Sequence, residues 1–72
     1  MKHDILETVK DVSNALLDEY LSQTPCASVE DARTFIEGKR AKTMEVLGMG
    51  HNSFSSAKGM AIRKLKTELE NL

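Results

Sequence analysis

A single cysteine, Cys26, excludes an intramolecular disulfide. Small secreted domains usually need such staples, so one thiol points to a reducing, cytoplasmic setting. Tryptophan is absent, and Tyr20, Phe35 and Phe54 are the only aromatics. Stacking on single-stranded nucleic acid needs several exposed rings; three rings, at least two of them expected in the core, argue against that mode. No apolar run approaches the ~18 residues of a membrane-crossing helix. The opening Met1-Lys2-His3-Asp4 places an acid where a signal peptide has its apolar region, so no membrane segment and no leader are expected. No stretch alternates apolar and polar residues while being rich in β-branched or aromatic types, so strands are not expected either.

The 72 residues also set a limit. They make one domain at most, and a chain of this size buries only about 60% of its unfolded surface. A multidomain enzyme, a polytopic membrane protein and a nucleotide-binding α/β fold are excluded. With 40% hydrophobic and 29% charged residues, the composition is neither disordered nor fibrous.

Charge of one sign is lacking overall: 10 Lys and Arg face 11 Asp and Glu, a net charge of −1. The distribution is uneven. Residues 1–27 carry a net −3, whereas residues 39–66 hold seven basic side chains and one acid, Glu45, a net +6. Such asymmetry points to an anionic partner or, equally, to solvated helix faces.

Helical spacing recurs throughout. A first, acidic helix is expected over residues 4–21, with Ile5, Val9, Val12, Leu16 and Tyr20 at three- and four-residue steps and Leu6, Ala15, Leu17 and Leu21 widening the stripe. Thr24-Pro25 ends it, because proline lacks an N–H and disfavours helix in the residue before it. Ser28 and Asp31 form a capping-box-like pair for a second helix. Run unbroken to Leu47, that helix would put Lys39 in its apolar arc. A break at Gly38 gives two shorter helices instead, Val29–Glu37 and about Lys39–Leu47, the second turning Ala41, Met44 and Leu47 inward. Both readings stay open. Leu47-Gly48-Met49-Gly50-His51-Asn52-Ser53 then marks a helix end, a turn and a cap at Asn52-Ser53. A last helix follows from about Ser53 to Asn71, with Phe54, Ala57, Ala61 and Leu65 on one stripe and Ile62, Leu65, Leu69 and Leu72 on another. Gly59 within it suggests close packing. The expected fold is an all-α, small orthogonal bundle of three to four helices.

Residue chemistry gives little support for catalysis. His3, Cys26 and His51 lack the tight paired spacing of a zinc site. Cys26 has no neighbouring histidine to activate it. Ser53, Ser55 and Ser56 lie near His51, but serines there serve better as helix caps. Gly48-x-Gly50 lacks the preceding strand and third glycine of a dinucleotide fingerprint, and no phosphate loop is present. A non-enzymatic protein without metal or cofactor is expected.

The strongest local signal is a helix–turn–helix over residues 39–70. A short glycine turn between two helices can set the second into a DNA major groove with its N-terminal residues at base edges. His51, Asn52, Ser53, Ser55, Ser56 and Lys58 are the candidate base contacts; Asn addresses adenine bidentately and Ser serves either pair. Lys39, Arg40, Lys42, Arg63, Lys64 and Lys66 are the candidate phosphate contacts.

Phe35-Ile36-Glu37-Gly38, Glu45-Val46-Leu47-Gly48-Met49, Phe54-Ser55 and the run from Ala61 to Leu69 carry a likeness. This segment, residues 35–69, resembles the promoter-binding C-terminal region of sigma factors and the DNA-binding domains of response regulators. The resemblance implies a helix-turn-helix whose recognition helix ends in a basic, leucine-containing tail. It departs from that pattern in four places. Met44 or Glu45 stands at the usual alanine. Ala57 or Lys58 stands at an aliphatic anchor. Gly50 replaces a capping Ser or Thr, and one residue is missing between Gly38 and Leu47. The acidic first helix lies outside the pattern.

Two functions remain on these grounds. One is a DNA-binding transcriptional regulator, expected to act as a homodimer because paired half-sites raise affinity. The other is a helical protein-binding module, such as a phage- or plasmid-type inhibitor or adaptor of a host protein. In that reading Ile62, Leu65, Leu69 and Leu72 form a partner or dimer face; core packing against the first helix is the competing role for the same stripe.

Overall fold

The computed structural model describes residues 5–71. Four helices follow one another: α1 (Ile5–Gln23), α2 (Val29–Gly38), α3 (Arg40–Leu47) and α4 (His51–Glu70), with no strand among the described residues. The protein is thus an all-α small bundle. The two long helices, α1 and α4, make the most extensive pairing; α2 packs on both, and α3 packs on α2 and α4.

Helix α1 buries Val9, Val12, Leu16, Leu17 and Tyr20, one arc of its surface. Leu6, Ala15 and Leu21, expected to widen that arc, are exposed, because α4 and α2 cover α1 from one side only. Ser13 is the one buried polar or charged residue among those described apart from the Tyr20 ring, and its hydroxyl donates to the Lys10 carbonyl at 2.8 Å. A buried hydroxyl left without a partner would be costly, and this back-bond avoids the cost. The expected helix start at Asp4 lies outside the described residues.

Ser28 caps α2 as the sequence suggests, its Oγ accepting from the Asp31 N–H at 3.2 Å. The return half of the box is different. The Ser28 N–H donates to the Tyr20 hydroxyl at 3.0 Å, and that hydroxyl donates to Asp31 Oδ2 at 3.0 Å.

The chain breaks between α2 and α3. Lys39 alone separates them, with φ −91° and ψ −2°. Its N–H closes α2 on the Ile36 carbonyl at 3.0 Å, and its carbonyl opens α3 by accepting from Thr43 at 2.9 Å. The break resolves the lysine problem: Lys39 Nζ reaches Glu19 on α1 at 2.8 Å and lies 5.3 Å from the Phe35 ring centre. Of the residues expected to turn inward from α3, only Met44 packs on the core; Ala41 and Leu47 are exposed.

Gly48 ends α3 with φ 64° and ψ 29°. A β-carbon there would crowd the following carbonyl, which is why glycine suits the position. The left-handed residue lets the Met49 N–H reach back to the Met44 carbonyl at 3.1 Å, and both methionines pack against the core. Helix α4 starts at His51 with Gly50 as N-cap, earlier than the expected Asn52-Ser53 cap, and no side chain caps it. Asn52 and Ser53 therefore sit inside its first turn.

Phe54, Ala57, Ala61, Ile62 and Leu65 are the buried residues of α4. Phe54 and Tyr20 lie in the same core as Leu17 and Ile36. The Ile62–Leu65–Leu69 stripe is core rather than a partner face. Ile62 and Leu65 are buried in the core and so are not available to a partner, whereas Leu69 is partly buried against it. Leu72 lies outside the described residues. Gly59 is exposed, and a β-carbon there would meet nothing within 4 Å, so the expected close packing is absent.

Candidate nucleic-acid interface

Helix α3, a three-residue turn (Gly48-Met49-Gly50) and α4 make a helix–turn–helix in the structural sense. Burial of Phe54, Ala57, Ala61 and Leu65 fixes how α4 is rotated, because side chains three and four apart share a face. The opposite face is thereby committed to solvent. Asn52, Ser56, Gly59, Arg63 and Lys66 follow one another along it at those spacings, all exposed. Ser55 borders this strip. Ser53 is half-buried and lies off it.

The expected basic contacts do not gather on one face. Lys39 is turned to Glu19 on α1. Lys64, from the other flank of α4, donates to Asn14 Oδ1 on α1 at 3.0 Å. Lys42 lies in a groove between α3 and α1. Arg63 and Lys66 remain on the outer strip, with no ion pair among the described residues.

Arg40 and Lys58 converge on Glu37, the last acid of α2. Arg40 donates to it twice, from Nε to Oε2 at 2.6 Å and from Nη2 to Oε1 at 3.2 Å. Lys58 Nζ reaches Oε1 at 2.5 Å. These hydrogen bonds hold the Glu37 carboxyl at about 2, well below its ordinary 4.5, with Arg40 the larger cause and Lys58 the second. The same carboxylate raises Arg40 above its ordinary value. Arg40 also lies over the Phe54 ring at 4.9 Å and donates from Nη1 to His51 Nδ1 at 3.0 Å. A guanidinium only donates, so Nδ1 is the acceptor in this contact. Arg40 Nη2 lies 3.5 Å from Ser55 Oγ, completing a link from α2 through α3 to the start of α4.

Glu37 was not legible in the sequence as a partner of these bases, although its three-residue spacing from Arg40 across Gly38 was a usable signal. Cys26 is an exposed free thiol, and no group of three or more His, Cys, Asp or Glu among the described residues could hold a metal ion. His3 lies outside the described residues. No helix among those described is long and apolar enough to cross a membrane.

No protein-family model, curated protein or solved structure matches the chain.

Proposed function

We propose that the chain is a small helix-turn-helix DNA-binding protein acting in transcriptional control, in the cytoplasm, with neither catalysis nor a cofactor. The observation that carries this reading is the outward strip of α4, where Asn52 and Ser56 precede Arg63 and Lys66 behind a tight Gly48 turn. Short polar side chains at the start of a helix reach base edges, and cations further along reach phosphates. The uncapped first turn of α4 adds amide N–H groups that favour an anion. The resemblance of residues 35–69 to sigma-factor C-terminal regions points the same way.

On this reading the expected contacts narrow. Base reading falls to Asn52, Ser55 and Ser56, and phosphate binding to Arg63 and Lys66. Anisotropy of a labelled random duplex tests the proposal. Two phosphate contacts per protomer give a log K against log salt slope of about −2, roughly a tenfold loss between about 50 and 200 mM salt. Absence of binding at low salt, or binding indifferent to salt, would sink it.

A second reading, a helical module that binds a host protein, is favoured by one observation: Val46 and Leu47 on α3 are 66% and 52% exposed. Capture of one protein from lysate by the wild-type chain and not by Val46→Glu, with no DNA binding, is the result that selects it.

A further inference from the structure

Helix α3 is half apolar by composition (Ala41, Met44, Val46, Leu47) yet has no buried residue. Its uncovered side faces α1 across an open groove. Thr43, Val46 and Leu47 form one wall; Val12, Ala15 and Leu16 of α1 lie on the other, and Leu47 lines the groove along its length. At one end the Lys39–Glu19 ion pair bridges the two helices. Val46 and Leu47 are exposed along this groove, and exposed Ala15 lines it with Leu47.

The rims differ in charge. Asp11 stands on the α1 side and Lys42 on the α3 side; both are exposed, and neither has an ion pair among the described residues. An occupant must therefore offer apolar side chains at its centre, a cation toward α1 and an anion toward α3. A second copy of this chain has that composition on the same surface. Two-fold pairing is self-complementary by construction, so one contact is made twice.

We propose that the α1–α3 groove is a homodimer interface. Val46 and Leu47 of each copy enter the other's groove beside Ala15, and Asp11 of each pairs with Lys42 of its partner. Helix α3, short and unburied in one chain, becomes covered on dimerisation. This assignment does not depend on DNA binding. It replaces the stripe through Ile62 and Leu65, which the core buries.

Sedimentation equilibrium from about 5 to about 500 µM tests it, with thermal melts confirming that each variant folds. The wild type is expected to shift from monomer to dimer across that range. Val46→Glu is expected to weaken dimerisation at least tenfold. Asp11→Lys and Lys42→Asp each set like charges against each other twice, so each alone is expected to be monomeric over most of the range. Mixed in equal amounts, the two single variants restore both ion pairs in a heterodimer, which a merely structural defect could not do. A wild type that stays monomeric throughout overturns the proposal, as does a dimer indifferent to Val46→Glu, or single variants that fail to associate when mixed.

Discussion

The Tyr20 hydroxyl donates to Asp31 Oδ2 at 3.0 Å while accepting the Ser28 N–H at 3.0 Å. It stands where the third residue of a capping box would otherwise reach back by itself. One oxygen from α1 thereby fastens the start of α2, and the ring beneath it meets Phe35 at 5.5 Å between centres. Tyr20 is 1% exposed, so this is a polar contact made at the end of a buried ring. Tyr20→Phe keeps the ring and strands the Ser28 N–H. The expected loss is about 1–2 kcal/mol in urea unfolding, typical of a hydrogen bond removed from one side. Ser28→Ala is expected to cost about 1 kcal/mol, and the double variant less than the sum, since both act on one cap.

Glu37 sets an acid limit. Its folded value of about 2 lies below the ordinary 4.5, so between these values the unfolded chain binds the extra proton. Stability therefore rises with pH through that window. The contribution is full above about 4.5 and is lost as pH falls toward 2. Wild type and Glu37→Gln are expected to differ in melting temperature at neutral pH and to converge at low pH. Parallel curves from pH 2 to 6 would contradict the assignment.

Two glycines are expected to respond with opposite sign. Gly48→Ala places a side chain at φ 64° and is expected to cost about 1–2 kcal/mol. Gly59→Ala adds a β-carbon that meets nothing in the interior of α4, and is expected to raise stability by up to about 1 kcal/mol. Chemical denaturation of both variants reads the contrast directly.

Within the DNA-binding proposal, Arg63 and Lys39 should behave differently despite their similar charge. Arg63→Ala is expected to weaken binding to every duplex and reduce the salt slope by about 1. Lys39→Ala, which removes a cation already facing Glu19, is expected to leave that slope unchanged. Equal effects would show that binding follows net charge and not the α4 strip.

Much of the architecture was readable because periodicity is local. Val9, Val12, Leu16 and Tyr20 announce the face of α1, and Phe54, Ala57, Ala61 and Leu65 that of α4. Ser28 announces its cap. The α2–α3 break stayed open from sequence, because it depends on Lys39 finding Glu19, twenty residues earlier in the chain. The candidate site was less legible for the same reason. Charge along the chain placed seven bases in residues 39–66. It could not show that Glu37, just outside that span, and Glu19, far from it on α1, claim three of them, or that Lys64 turns to Asn14. The stripe through Ile62 and Leu65 illustrates a different ambiguity: apolar spacing reports that a face is covered, and says nothing of whether the cover belongs to the same chain.

The lack of burial along α3 has a consequence for amide exchange. An eight-residue helix is too short to sustain itself in water, and this one is held by partly buried Met44, by the Gly48 turn at one end and by the Arg40–Glu37 contacts at the other. Its N–H groups are therefore expected to exchange with deuterium through local opening, well before those of α1 and α4, which open only with the whole molecule. The fraying turn of the chain is the one that joins the groove to the start of α4, so any occupant of the groove is expected to slow exchange there first.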